Sequence, residues 1–452
     1  MEISERSFIL KGHICYTPEA GRLVIRENTF VVCEEGVCRG VFEEVPERYS
    51  GLEIIDCTDR LILPGMVDLH IHAPQYPYSG TGMDFELLEW LYKITFPEEM
   101  RYAKAEYAAK AYGIFAQAMK QGATTRAVIF GTVHTDSTLI LADLMEESGL
   151  VSYVGKVGMD RLGPPDLTEK GAAVAAEEAR RFIEETAKRG YRRTKPIITP
   201  RFIPCCSDAL MRLLGQIRKE YDLPVQSHLS ESPEEVELVR GMAQEAAFYG
   251  DGYDRFGLFG VDREMSQREP APATQSPMTY FPTVMAHCIW SVPEEVQRIK
   301  DNGVWIAHCP ASNINLASGI APIRRYLEKK MRVGLGTDVA GGHSDSMFRA
   351  VTDAIQVSKL YWRHVDQEAK PLTFPESLYL ATKGGGAFFG KVGSFEDGYE
   401  FDALVMDDSG IPCARKLSVP DRLERAFYLE MDRTGIMMKF VKGVDLCIRD
   451  RG

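Results

Sequence analysis

The stretch PGMVDLHIHAPQYPYSGTG, residues 64–82, is the one from which the fold is read. The apolar run Leu61, Ile62 and Leu63 meets a Pro-Gly break, and a short strand pattern then delivers His70 and His72 two residues apart. Residues i and i+2 of a strand share one face, so both imidazoles can point at a single object. Two neutral histidines at a strand end, flanked by Asp68 and Gln75, are a natural start for a metal site. The alternative for such a pair is an ordinary polar strand end. What lies outward from it decides between the two.

Moving outward, short apolar runs recur, each followed by a polar stretch and a helical pattern. Eight are counted: Met66–Ile71, Thr125–Ile129, Ser152–Val157, Pro196–Phe202, Pro224–His228, Thr283–Cys288, Val304–Cys309 and Arg332–Gly336. Helices are predicted between and after them, at 103–120, 137–147, 168–188, 208–220, 233–246, 293–300, 322–329 and 346–360. Ser232, Pro233 and Glu235 give one helix an N-cap, a first-turn proline and a capping-box acid; Ser291 with Glu294 repeats the box. Gly122 and Gly190 mark helix ends. Alternating strands and helices imply a parallel sheet, and eight repeats are the number that closes a (β/α)8 TIM barrel. An open doubly wound sheet is the alternative, but its glycine fingerprint after the first strand is missing.

Both ends of the chain have a different texture. Residues 1–64 alternate short β-type runs with turns, and the pattern returns at Gly393–Met406 and Phe440–Ile448. Residues 1–64 and 390–452 are therefore expected to form one small composite β domain, of β-sandwich type, around a catalytic barrel of residues 65–389.

Composition narrows the function. The 452 residues are 45% hydrophobic and 26% charged, with a formal charge of −12 that disfavours nucleic acid or an anionic membrane surface as partner. A small, weakly polar substrate is not troubled by it. The first residues, MEISERSFILKGHICY, lack a basic region and a sustained apolar core, so no signal peptide is expected, and no window is long enough to span a bilayer. The ten cysteines are scattered, with Cys205 and Cys206 the only close pair, which reads as reduced thiols in a cytoplasmic protein.

In a barrel, chemistry gathers at the C-terminal ends of the strands. The first strand ends with His70 and His72, the fifth with His228 and then Glu231, the sixth with His287 and the eighth with Asp338. Four of the nine histidines and one aspartate thus fall where they can converge. Imidazoles plus a carboxylate leave a divalent ion an open position for water, as in a catalytic rather than a structural site. Nitrogen and oxygen donors without thiolate suit Zn2+, with Fe2+ or Mn2+ possible. Such an ion lowers the pKa of a bound water from 15.7 towards about 7. Glu231, just beyond His228, is placed to carry a proton; its alternative is a solvated or helix-capping charge.

These strand ends, with a β domain made from both termini, resemble the amidohydrolase superfamily. Within it, PGMVDLHIHAPQYPYSGTGMDFELLEWLYKITFPEE resembles the mononuclear-metal deaminase branch that acts on guanine, supported by TPRFIP at 199–204, SHLSESPEEVELVR at 227–240, AHCIW at 286–290, HCPASN at 308–313 and GTDVAGG at 336–342. The resemblance implies one metal bound by His70, His72, His228 and Asp338. It implies that His287 holds the attacking water, Glu231 shuttles a proton to ring nitrogen N3 and Asp338 takes the proton of the water. Gln75, Arg201 and Phe202 would hold a purine base, the reaction would be hydrolytic deamination of guanine to xanthine, and the assembly a homodimer. Another aminated ring (8-oxoguanine, a pterin or a triazine) is the alternative substrate, and a metal-free scaffold the alternative class.

The clearest departure from that pattern is residues 261–282, polar and proline-rich, expected as a surface loop on the face away from the chemistry rather than a lid. Residues 408–424 are expected as decoration of the β domain or an interface. His308 is open between a structural role and a substrate contact; His134 and His343 are expected at the surface or behind the site, and His13 and His364 away from it. Lys195 falls at the wrong end of its strand to bridge two metals. The H-x-E and P-C-x-x-C signature of the other deaminase fold is absent.

Overall fold

The structure, a computed structural model, describes residues 6–260 and 282–446. The excursion expected to be a surface loop, residues 261–282, therefore lies outside the described residues except for Pro282.

Four strands precede the barrel: β1 (Phe8–Glu19), β2 (Arg22–Glu34), β3 (Val37–Phe42) and β4 (Glu53–Pro64). The barrel wall follows as β5 (Met66–His72), β6 (Thr124–Phe130), β7 (Val151–Gly155) with its extension β8 (Val157–Gly158), and β9 (Thr194–Pro196) with its extension β10 (Thr199–Pro200). It continues through β11 (Val225–Leu229), β12 (Thr283–His287), β13 (Trp305–His308) and β14 (Arg332–Leu335). Three strands return to the first sheet: β15 (Ala403–Met406), β16 (Ile436–Val441) and β17 (Val444–Asp445).

Neighbouring wall strands pair in parallel from β5 to β9 and from β11 to β14. A parallel bridge between Ile198 and Val225 joins the two halves on one side. On the other, Asp338 N donates to His70 O at 2.8 Å and His72 N to Val339 O at 3.1 Å, so the wall closes. The interior is filled by Val67, Leu69, Val128, Ile197, Val284, Ala286 and Ala307. Continuous apolar runs are what a parallel sheet buried on both faces requires. Helices cover the outside; in Ala105–Gln121 the buried Ala108, Ala111, Tyr112, Phe115 and Met119 recur at three- and four-residue spacing and form one stripe.

The two ends of the chain meet in one seven-stranded sheet, in which β4 pairs with β1 on one side and β15 on the other. Phe8, Leu10, Val31, Phe401 and Phe440 are buried against it. Gly65 alone separates β4 from β5, and a Cβ there would lie 2.3 Å from the Thr125 side chain, so the passage into the barrel needs glycine. Two buried cations fasten sheet to barrel. Arg126 on β6 pairs with Asp402, its Nε at 2.6 Å from Oδ2, and Lys439 on β16 donates to the carbonyls of Met119, Lys120 and Gly122 at 2.9–3.1 Å. Those three carbonyls are left over at the end of Ala105–Gln121, and the ammonium satisfies them.

Several helix expectations are corrected: the helix expected at 168–188 begins only at Ala172, and the one expected at 346–360 runs on to His364. The helix from Pro233 stops at Met242 rather than 246, because Ala243 leaves the helical region at φ −113°, ψ 57°. The Ser291 box does not form, since the N-cap is Val292, with no side-chain bond. Residues 408–424 turn out to lead into a helix, Val419–Tyr428, whose Phe427 stacks on Phe348 of the barrel helix Met347–His364 at 3.8 Å.

Candidate metal centre and recognition pocket

His70 and His72 leave the end of β5, His228 the end of β11 and His287 the end of β12, while Asp338 lies three residues beyond β14. Two of these positions have left-handed backbone, His287 at φ 73° and Asp338 at φ 50°. For non-glycine residues such conformations cost of order 1–3 kcal/mol and persist where surrounding structure imposes them. Here they break the strands and turn both side chains inward. Close approach is also required beneath the site: a Cβ on Gly336 would lie 2.9 Å from His70 Cβ and 3.0 Å from Cys309 Sγ. Asp68, beneath His70, accepts from His70 N, Thr337 N and Thr337 Oγ1 at 3.1, 3.0 and 2.6 Å, clipping β5 to the loop that carries Asp338.

The donor atoms converge. His72 Nε2 stands 3.2 Å from the Nε2 atoms of both His70 and His228, and Asp338 Oδ1 lies 3.2 Å from His70 Nε2 and 3.4 Å from His72 Nε2. His287 Nε2 is 3.7 Å from Asp338 Oδ2. His228 Nδ1–H donates to Arg201 O at 2.7 Å, which leaves its Nε2 as a lone pair facing the other imidazoles. Burial and the neighbouring imidazoles hold His72 and His228 well below the usual histidine range, so both are neutral. Burial alone would lift the Asp338 carboxyl, but the adjacent imidazoles, His70 first, outweigh it and hold it well below the carboxylate range. Lone pairs and a carboxylate packed this closely fit a divalent cation, since ligand atoms about 2.0–2.2 Å from a tetrahedral ion stand roughly 3.3–3.6 Å apart.

Beside the cluster is a pair of carboxyls. Glu231 Oε2 lies 3.3 Å from His287 Nε2, and its Oε1 accepts from Ser318 Oγ at 3.3 Å. Burial, then Glu235 and Asp338, push the Glu231 carboxyl well above the usual range, which favours its proton-bearing form. Glu235 accepts from Glu231 N at 2.8 Å and from Tyr249 Oη, which fixes the turn bearing Glu231. His287 Nδ1–H donates to Asn313 Oδ1 at 2.9 Å, leaving Nε2 as the acceptor that faces Glu231 and Asp338.

These groups open onto a cavity lined by His72, Gln75, Arg201, Phe202, Glu231 and Asp338 on its polar side and Leu87, Trp90, Leu91 and Leu316 on its apolar side. Arg201, Gln75 and Phe202 are all buried. The guanidinium is gripped by Glu99 through both Nη atoms, the Nη2–Oε1 bond being 3.1 Å, and lies over the Phe96 ring with Cζ 5.0 Å from its centroid. Glu99 and Asn313 are not among the residues to which the sequence pattern points. Asn313 sits in the quoted HCPASN stretch. Glu99 closes the quoted TFPEE run, where no periodicity separates it from its neighbour Glu98.

The other candidates fall elsewhere. His308 is buried but does not line the cavity, and burial, with His287 nearby, holds its imidazole at about 3. His134 precedes the helix Thr135–Ser148, and His343 Nδ1 lies 3.0 Å from Asn315 Nδ2, outside the cavity lining. His13 lies in the seven-stranded sheet, His364 is exposed at a helix end and Lys195 is exposed on β9. Burial pushes the Cys205 thiol up to about 12, so it is no nucleophile.

The sequence profile of the Amidohydrolase family matches residues 61–443. The chain belongs to that family. This amidohydrolase is 40% identical over 348 residues to the guanine deaminase of Mus musculus, covering 76% of this chain and 72% of the relative. With the guanine deaminase of Dictyostelium discoideum it shares 30% identity over 96% of this chain and 97% of the relative. Among solved structures, the guanine deaminase from C. acetobutylicum with guanine bound in its active site superposes with a TM-score of 0.90 at 42% identity, covering 97% of this amidohydrolase and all of that chain.

Proposed function

We propose that this amidohydrolase is a guanine deaminase, converting guanine and water to xanthine and ammonia. One observation carries the reading: the imidazole–carboxylate cluster, the buried Glu231 carboxyl and the buried Arg201 all face a single cavity. The relatives with which it shares 30–42% identity over most of the chain, and the guanine held in one of them, support the same substrate.

His70, His72, His228 and Asp338 are the proposed ligands of one ion, zinc by its preference for nitrogen and oxygen donors, with Fe2+ or Mn2+ as substitutes. When bound, the ion supplies the Lewis acidity that makes a water nucleophilic near neutral pH. The chain does the rest. Arg201 directs donors at the O6 and N7 acceptors of guanine, Phe202 gives the ring an apolar wall and Gln75 fixes its edge. His287 and Asp338 orient the attacking water, and Asp338 accepts its proton. As the water oxygen bonds to C2, Glu231 passes its proton to N3, so negative charge does not build up on the ring. The adduct then breaks its bond from C2 to the exocyclic nitrogen, which leaves as ammonia with the proton returned from Asp338, while the proton of the C2 hydroxyl passes to Glu231 and leaves the C2 carbonyl of xanthine. The experiment is an ammonia-release screen over guanine, 8-oxoguanine, cytosine and pterin. Turnover of guanine above the others is expected; no turnover of guanine while another ring reacts would overturn the substrate assignment.

A further inference from the structure

The recognition arginine does not stand alone, and the group that holds it has no part in the reaction above. Glu99 is 2% exposed, and each of its oxygens is used. Oε2 accepts from Arg201 Nη1, while Oε1 accepts from Arg201 Nη2 and from Gln75 Nε2, both at 3.1 Å. The Gln75 amide, its NH2 end taken by that carboxylate, turns its Oε1 to Ala340 N at 3.1 Å. Ala340 is two residues from Asp338, and the Arg201 carbonyl holds His228 Nδ1. A chain of bonds therefore runs from the Asp338 loop through Gln75, Glu99 and Arg201 to His228.

Glu99 and Phe96 come from one helical turn, Phe96–Glu99, so the guanidinium is clamped by a carboxylate at its edge and a ring at its face. The turn follows a five-residue π-helical segment, Leu91–Thr95, an irregularity found often at functional sites. The preceding turn supplies Leu87 and Trp90 to the apolar wall of the same cavity.

We propose that Glu99 is a positioning residue that sets which ring the pocket accepts. A guanidinium offers five N–H donors in a rigid fork and no acceptor. Glu99 takes one N–H from each Nη, so the donors that remain are fixed in direction towards the cavity and match a pair of adjacent acceptors. Its charge cancels that of Arg201, so the pocket suits a neutral ring. Without the carboxylate the guanidinium is free to rotate and Gln75 to flip, and both donors and acceptors become available to a wrong base. The proposal rests on the deaminase reading and adds a determinant of specificity to it.

The test compares guanine with 2,6-diaminopurine. The two rings carry the same amino group at C2, but the second presents an amino donor where guanine presents O6. In Glu99→Gln the ratio of kcat/KM for guanine over 2,6-diaminopurine should fall roughly 100-fold, most of it through KM for guanine, with kcat within about fivefold of wild type. Should Glu99→Gln fail to fold, Glu99→Asp, which keeps the charge and loses one methylene of reach, is read by the same ratio and the same split. A wild-type ratio in a folded variant, or a loss confined to kcat or to melting temperature, overturns the proposal. So does failure of both variants to fold, which would make Glu99 a stabilising residue only. Wild-type protein inert towards guanine would instead defeat the deaminase reading itself, so the two failures are distinguishable.

Discussion

The proposed metal side and the proposed recognition side of the pocket are built differently. The metal side gathers one or two residues from each of four strand ends, β5, β11 and β12 and the turn after β14, so its geometry is that of the wall itself. The recognition side takes Arg201 from the end of β10 but secures it from a connection of short α, π and 3-10 turns between residues 87 and 103. The first side needs only the barrel to close. The second depends on an irregular segment landing a single carboxylate on a guanidinium. In the proposed function, reaction type and substrate choice thus rest on separate parts of the fold, and substitutions should separate them.

The largest effect should come from the metal side. His70→Ala is expected to abolish stoichiometric metal and lower kcat by about 10⁴-fold or more, because the attacking water loses its activation. Metal analysis beside a guanine assay checks both. Next, Glu231→Gln should keep full metal content and lose about 10³-fold in kcat, the range of a removed general acid. Metal loss in that variant would mean that the carboxyl belongs to the ligand set. On the recognition side, Arg201→Lys should lower kcat/KM by about 10²-fold, chiefly through KM, since an ammonium cannot serve Glu99 and the ring in the same fork. A loss carried by kcat instead would erase the division between the two sides.

The smallest effect concerns neither side. His308 has its pKa lowered by burial to about 3, below its unfolded value of about 6.5. As pH falls the unfolded chain takes up this proton first, so its contribution to stability is present above about 6.5 and lost between about 6.5 and about 3. The loss is about 1.4 kcal/mol per pH unit. His308→Leu should reduce the acid-side slope of stability by about one proton in a denaturant series at stepped pH. An unchanged slope would mean that His308 is protonated in the fold.

The same division governed what the sequence made legible. Barrel strands end where apolar runs end, so His70, His72, His228, His287 and Asp338 are visible as a set in the sequence. All eight wall strands were found to within a few residues, because a buried parallel strand is a continuous apolar run. Boundaries set by backbone angle rather than by pattern were missed, as at Ala243 and Val292. Glu99 was invisible for a related reason: irregular turns have no period, and nothing in FPEE says that the second glutamate turns inward while Glu98 does not. Phe427 was hidden by the polar run before it, although Ser418, which accepts from Asp421 N at 3.3 Å, was a cap available to be read.

Both sides meet in one reaction, and the most direct measurement follows xanthine formation while metal is returned. Chelator-treated protein is titrated with zinc in the presence of saturating guanine. Activity is expected to rise linearly and to saturate at one ion per chain, with one ammonia released per xanthine. Xanthine formation that is indifferent to metal, or full loading that yields none, would contradict the account.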